Sequence, residues 1–142
     1  MADGADPVSF VGNQTFVTDQ LAEYLEDKGV SLASPAAWRT DERKRASRLL
    51  RTYYRDRGFP FVCIELKESL EGFKFLIGEG LRARLRKVGF VGNSALPDSE
   101  LEKHFGVGEW FNEGQNVGAL TRLKGVYRSR GFARASLRQQ YL

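Results

Sequence analysis

Apolar and polar residues alternate in two short stretches of the chain, and each stretch ends in a Gly-Asn pair. The stretches read VSFVGN from Val8 and VGFVGN from Val88. Alternation with a period of two is typical of a strand with one buried face. Gly and Asn are the residue types that most readily accept a positive φ, so a tight turn is predicted after each strand. The predicted structural turns are Gly12, Asn13, Gly92 and Asn93.

A second pair of similar stretches lies further along the chain. LRTYYRDRGF ends at Phe59, and LKGVYRSRGF ends at Phe132. The Gly-Asn pairs are 80 residues apart, whereas Gly58 and Gly131, which are predicted to end the two helices, are 73 residues apart. A self-similarity of this length indicates a small domain that occurs twice.

The residues between the repeated stretches predict the remaining elements. A short helix follows each Gly-Asn turn, and longer helices are predicted at about 40–57 and 112–130, each with apolar residues at three-to-four spacing. Residues 61–66 and 73–77 alternate again and predict two further strands. Neither helix can bury its apolar stripe alone, so both must pack on one face of the sheet. The inner face of the second long helix is predicted to be Val117, Leu120, Leu123 and Tyr127.

The predicted fold is therefore α+β, with two consecutive βααββ modules, each of two helices packed on a small three-stranded sheet. The first module spans residues 7–80 and the second residues 81–142. Nothing in the second copy answers residues 73–77, so we expect it to lack its last strand and the chain to be a fragment of a longer protein. The join is short and carries a change of alternation, which predicts a bulge near Arg86 and Lys87 and a restricted orientation of the modules.

Composition narrows the classes of function. The chain has 142 residues, a formal net charge of +4, one cysteine and one histidine. Cys63 alone cannot form an internal disulfide, and His104 alone cannot build a metal site. The sequence offers no Ser-His pairing and no glycine-rich phosphate loop. We therefore expect no enzymatic activity, no cofactor and no metal.

The pattern V-x-F-x-G-N before a short helix, followed by Y-x-x-x-G-F before a strand, resembles the POTRA (polypeptide-transport-associated) domain. The join Gly78-Glu79-Gly80 is similar to the way in which such domains are strung together. The resemblance occurs twice and covers residues 7–141. It points to tandem POTRA domains of the superfamily of outer-membrane β-barrel assembly and translocation proteins, whose βααββ topology matches the one predicted from the pattern.

The resemblance implies a non-catalytic, polypeptide-binding module of an outer-membrane assembly or secretion machine. The expected location is the periplasm, or the equivalent side of an organelle envelope, with attachment to the outer membrane through a C-terminal barrel that this sequence does not contain. The expected partners are unfolded outer-membrane or secreted polypeptides, accessory assembly subunits and the parent β-barrel in cis.

Strand addition at an exposed sheet edge is the expected binding mode, because an edge strand offers unpaired backbone groups. The candidate edges are the strand at 61–66 and its counterpart at 134–140. Their candidate binding residues are Phe61, Val62, Cys63, Ile64, Glu65, Leu66, Arg134, Ser136 and Arg138.

The first long helix carries a basic stripe of Lys44, Arg48, Arg51 and Arg55. A solvated face, partly neutralised by the acidic first helix, is one interpretation. The other is attraction to anionic lipid headgroups or to an acidic partner.

Two alternative functions remain open. The basic charge and the topology also suit a KH-like nucleic-acid-binding domain, but the loops GVSLASPAAW and GVGEWFNEG lack the G-x-x-G that such domains need, so nucleic acid is not favoured. A POTRA scaffold in cell division or two-partner secretion is the other alternative. The open edge of the truncated second sheet also predicts that two molecules pair.

Overall fold

The computed structural model describes residues 7–141; the first six residues and Leu142, the last residue of the predicted second module, lie outside the described residues. Three strands and four helices are formed, with a single 3₁₀ turn at Pro35–Ala37 in the described chain. In chain order the elements are β1 (Val8–Val11), α1 (Thr18–Asp27), α2 (Thr40–Arg55), β2 (Cys63–Ser69), β3 (Gly72–Gly78), α3 (Asp98–Glu102) and α4 (Glu113–Ser129).

The three strands form one sheet in the order β1-β3-β2, so the last strand in sequence is the central one. β3 pairs in parallel with β1, from Val8 opposite Phe73 to Val11 opposite Leu76. It pairs antiparallel with β2, across a tight hairpin that places Ser69 opposite Gly72. The predicted α+β class and the βααββ order of the first module are confirmed.

The first core lies between this sheet and the helices α1 and α2. Alternate residues of β3 face the helices, and Phe75 is fully buried among them. Its ring stacks on Phe10 at 5.4 Å, while Trp38 stacks on Phe73 at 5.3 Å. From α2, Leu50 and Tyr54 are also fully buried. Each such side chain contributes roughly 1.5–3 kcal/mol of burial energy, which makes this core the main source of stability.

The internal repeat is visible in the local hydrogen bonds. The side-chain amide of Asn13 donates to the carbonyl of Phe16 at 2.9 Å, and that of Asn93 donates to the carbonyl of Leu96 at 2.9 Å. The amide of Phe59 donates to the carbonyl of Tyr54 at 3.0 Å, and the amide of Phe132 to that of Tyr127 at 2.9 Å. Each of the two repeated stretches therefore has the same turn in both copies, as the sequence predicts.

The second half of the described chain has helices but no sheet. Its core is small, with Leu96, Leu101 and Leu123 buried together. The predicted strands near 88–91 and 134–140 form no ladder, and within residues 81–141 only Arg84 and Trp110 form an isolated bridge. In the first module the central strand β3 pairs with both β1 and β2. The described residues of the second half contain no counterpart of β3, so the other two predicted strands have no strand to pair with. The predicted bulge near Arg86 and Lys87 is not formed, because residues 81–91 contain no continuous strand.

The inner face of α4 differs from the prediction. Asn116, Ala119 and Leu123 are buried, whereas Val117 is 51% exposed. The apolar positions of this helix do not form a single strong stripe, so their spacing did not determine which side packs inward.

Several contacts join the two halves. The amide of Ala83 donates to the carbonyl of Gly58 at 2.8 Å, and Nε of Arg82 donates to the carbonyl of Arg57 at 3.1 Å. The amide of Gly114, in the first turn of α4, donates to the Asp56 carboxylate at 2.9 Å. The Arg82 guanidinium lies 5.1 Å from the centre of the Phe59 ring. The end of α2 is therefore hydrogen-bonded to the start of α4.

Candidate functional site: the free edge of β2 and its basic groove

β2 is an edge strand of seven residues. Four of the predicted edge residues, from Cys63 to Leu66, lie in this strand, whereas Phe61 and Val62 precede it. The strand continues to Ser69, three residues further than predicted, because the hairpin with β3 extends the pairing that far. At about 3.4 Å per residue, the free edge is roughly 20 Å long.

The two faces of β2 differ in character. Ile64 and Leu66, opposite Ile77 and Phe75, face the helices and are half-buried. The next residue on that side is Glu68. Cys63, Glu65 and Lys67 are exposed on the other face, where the Lys67 ammonium lies 3.0 Å from the Glu65 carboxylate. A strand paired with β2 would accordingly meet apolar and helical groups on one face and water on the other.

The helix-facing side of this edge opens into a groove between β2 and α2, which we call the basic groove. Its floor is apolar and its α2 wall carries four basic side chains. The lining residues are Arg43, Lys44, Ser47, Arg48, Arg51, Ile64, Leu66, Glu68 and Phe73.

Two contacts fix the direction of α2 along the sheet. Near its start, the Arg43 guanidinium lies 4.8 Å from the centre of the Phe73 ring, at the beginning of β3. Near its end, the Tyr54 hydroxyl donates to the Glu79 carboxylate at 2.9 Å, just after β3. α2 therefore runs parallel to β3 and antiparallel to β2, and its basic stripe follows the length of the free edge.

The charges in the groove are unevenly paired. Arg43 donates to Glu68, the single acidic residue of the lining, at 3.4 Å. Among residues 7–141, Lys44, Arg48 and Arg51 form no ion pair within 4 Å, and the predicted neutralisation by carboxylates of α1 is not seen there as direct contacts. Arg55 is directed elsewhere, because its guanidinium lies 3.8 Å from the Glu113 carboxylate of α4.

Arg43 is the basic residue of the groove that the predicted basic stripe did not include. It lies four residues before Ser47 and eight before Arg51, so all three share one side of α2. That spacing was readable in the sequence, but the partner that makes Arg43 part of the site, Glu68 on β2, depends on the sheet order.

A buried tyrosine closes the end of the sheet beside the join. Tyr54 is fully buried, and Glu79 also accepts hydrogen bonds from the backbone amide and the hydroxyl of Thr15, at 3.0 and 2.9 Å. Burial, and then the hydrogen bond to Glu79, raise the pKa of Tyr54 well above the usual value for tyrosine. Glu79 of the Gly-Glu-Gly join is therefore a structural acceptor that fixes β1, α2 and the end of β3 together.

The remaining predicted edge residues lie apart from this groove. Arg134, Ser136 and Arg138 are exposed in irregular chain, although Leu137 between them packs against the second core. They have no strand partner in the described chain, so the predicted second edge strand is not formed. The predicted turn residues Gly12, Gly58, Gly92 and Gly131 all have positive φ, as expected of turn glycines.

No group of three His, Cys, Asp or Glu side chains within residues 7–141 could hold a metal ion. No helix in that range is long and apolar enough to cross a membrane.

The first module is α+β, and its three-stranded sheet has the last strand of the sequence in the middle. Comparisons with known proteins show which proteins share this fold. The family model of POTRA, described as a surface antigen variable number repeat, matches residues 83–141. The resemblance to POTRA domains noted in the sequence is therefore confirmed for residues 83–141. A comparison with curated protein sequences gave no significant match.

Solved structures share this fold. BamA POTRA3-5 of Haemophilus influenzae superposes with a TM-score of 0.62 at 17% identity, covering 90% of this chain and 50% of that one. POTRA1-2 of the periplasmic domain of Omp85 from Anabaena superposes with a TM-score of 0.60 at 14% identity, covering 96% of this chain and 84% of that one. BamA of Haemophilus ducreyi lacking POTRA domains 1-3 gives a TM-score of 0.54 at 25% identity.

The chain spans only part of these BamA structures. It covers 50% of the Haemophilus influenzae chain and 18% of the Haemophilus ducreyi chain. The match to the Haemophilus ducreyi chain includes 62% of the present chain.

Proposed function

We propose that this chain is a non-catalytic polypeptide-binding module of an outer-membrane assembly or secretion machine, located in the periplasm. The observation that carries the proposal is the free edge of β2, seven residues long and open on the side away from β3. Strand addition to such an edge supplies main-chain hydrogen bonds, and the adjoining groove accommodates alternate side chains. The periplasmic Omp85 domain that shares the fold supports the location.

β2 is the better of the two edges for this purpose. β1 is the other edge of the sheet but has only four residues, so it offers fewer backbone groups than the seven residues of β2. In addition, β2 borders a groove with a half-buried apolar floor at Ile64 and Leu66. We infer that unfolded outer-membrane or secreted polypeptides, and accessory assembly subunits, bind here. A β-barrel in the same polypeptide is the proposed attachment to the outer membrane.

Backbone amide resonances of the isotope-labelled chain provide the test. The titrant is a nine-residue peptide of alternating apolar and polar residues, and we expect shifts that saturate at tens to hundreds of micromolar and concentrate in β2 and the facing side of α2. The control peptide has proline at alternate positions, which removes the donors that a ladder needs. Shifts elsewhere in the chain with β2 unmoved would refute strand addition at this edge.

A further inference from the structure

We propose that the basic groove selects client strands by charge: the strand added to β2 carries Asp or Glu at the alternate positions that face α2. This inference rests on the proposed strand addition and specifies the chemistry of the chain that is bound. Its basis is the position of three basic residues along the free edge that form no ion pair within residues 7–141.

The pleat of the sheet determines which client residues meet these charges. Successive side chains of a strand point to opposite faces, so every second residue of an added strand would share the face of Ile64 and Leu66. That face is covered by α2, and Lys44, Arg48 and Arg51 line the same groove as those two apolar residues. The client residues of the other set would lie beside Cys63, Glu65 and Lys67, in water.

The spacing of the basic residues suits a strand. Lys44 and Arg48 are four residues apart on α2, and Arg48 and Arg51 are three apart, which corresponds to about 6 and 4.5 Å along the helix axis. Residues on one face of a strand recur every 6.8 Å or so. Long Lys and Arg side chains can take up differences of this size, so two or three successive carboxylates would each have a basic partner.

The charge balance favours acidic clients. The lining contains four basic residues and one acidic residue, Glu68, and the latter is already bonded to Arg43. A client carboxylate would therefore meet cations without displacing an existing ion pair of the described chain. Lysine at the same client position would add a like charge beside three others, which is unfavourable.

An anionic membrane surface is the other ligand that a basic stripe could attract. The observations favour a strand, since the basic side chains share the groove with a half-buried apolar floor and with a strand edge. A layer of lipid headgroups would reach the exposed Lys44 and Arg48 but would leave the edge of β2 unpaired. The experiment must therefore distinguish binding to lipid vesicles from binding to a client strand.

The experiment compares three nine-residue peptides in which valine alternates with glutamate, glutamine or lysine. Each is titrated into the chain at low ionic strength and followed at the β2 amides. We expect the glutamate peptide to bind about tenfold more tightly than the lysine peptide, with the glutamine peptide between them, and the preference to shrink as salt is added.

Two triple variants with the same change in net charge locate the effect. Lys44→Gln/Arg48→Gln/Arg51→Gln removes the groove charges and should make the three peptides bind about equally. The control Arg86→Gln/Lys87→Gln/Arg128→Gln changes exposed residues outside the groove and should keep the preference. The single change Arg48→Gln, at an exposed position, should lose about half of the preference on a logarithmic scale and guards against misfolding of the triple variant.

The outcomes separate this inference from the proposed function. Equal binding of all three peptides to the unchanged chain, with shifts still centred on β2, would overturn charge selection and leave strand addition intact. Absence of any shift in β2 would overturn both. A groove variant that lost binding to phosphatidylglycerol vesicles, yet kept the full preference among peptides, would assign the stripe to lipid and overturn the inference.

Discussion

Replacing Gly12 or Gly92 by alanine tests the central position of β3 with a matched pair of substitutions. Gly12 follows β1, Gly92 occupies the equivalent position of the repeat, and the two have nearly the same φ, 93° and 83°. A Cβ at Gly12 would lie 2.0 Å from the carbonyl oxygen of Ile77 on β3. A Cβ at Gly92 would meet nothing within 4 Å among the described residues, since no strand occupies the place that β3 takes in the first module.

The expected magnitudes follow from these contacts. Alanine at a positive φ costs about 1 kcal/mol of unfolding free energy, and this cost applies to both positions. At Gly12 the strand β3 must also move by more than 1 Å to relieve the overlap, which adds roughly 2 kcal/mol by comparison with overpacked cores. We expect Gly12→Ala to destabilise the chain by about 3 kcal/mol and Gly92→Ala by about 1 kcal/mol.

Urea unfolding followed by tryptophan fluorescence and circular dichroism measures the two losses. Trp38 lies in the first core against Phe73, so its emission reports on the module that contains Gly12. Equal losses for the two variants would show that backbone conformation alone decides the cost, and would contradict the close approach of β1 to β3. A larger loss for Gly92→Ala would refute the strand order in the first module.

Three further predictions concern the first core and the join. Because folding raises the pKa of Tyr54, the neutral phenol contributes its full stabilisation below the unfolded-state pKa near 10, and this stabilisation is lost as the pH rises above that value. The free energy of unfolding should be about 1.4 kcal/mol lower at pH 11 than at pH 8. This part of the pH dependence should be absent in Tyr54→Phe. Phe75→Ala should lose about 3–5 kcal/mol in urea unfolding, whereas Leu70→Ala, fully exposed in the hairpin, should lose less than about 0.5 kcal/mol. Asp56→Ala removes the acceptor of the Gly114 amide and should loosen the join in residual dipolar couplings, while Asp27→Ala, exposed at the end of α1, should not.

Local patterns in the sequence predicted the elements and turns of the first module well. Alternation found β1 and β3, three-to-four spacing found α2, and the Gly-Asn pair found the turn at Asn13. These signals are short-range, because a strand, a helix or a turn imposes its own period on neighbouring residues. The segment predicted at 61–66 corresponds to β2, an edge strand whose start at Cys63 and end at Ser69 differ from the predicted bounds by two and three residues.

Pairing between residues far apart in the sequence was predicted much less well. The sequence predicted that the second copy lacks its last strand, but not that this strand would be the central one, so the absence of a second sheet among the described residues was unexpected. The basic stripe was likewise predicted as one surface, whereas Arg55 pairs with Glu113 of the next module and only the other three members line the groove. Both differences depend on contacts between residues far apart in the chain, which a local period does not encode.

The central position of β3 also connects the fold to the proposed binding mode. β2 pairs only with β3, so β2 can remain extended and present its outer edge only when β3 is packed in the core. The same strand supplies Phe73 to the floor of the groove, and that ring supports Arg43 on α2. A client added to β2 would therefore extend a sheet that is already complete. In the second half, where no sheet is formed among the described residues, neither segment predicted as a strand has a ladder that a client could extend.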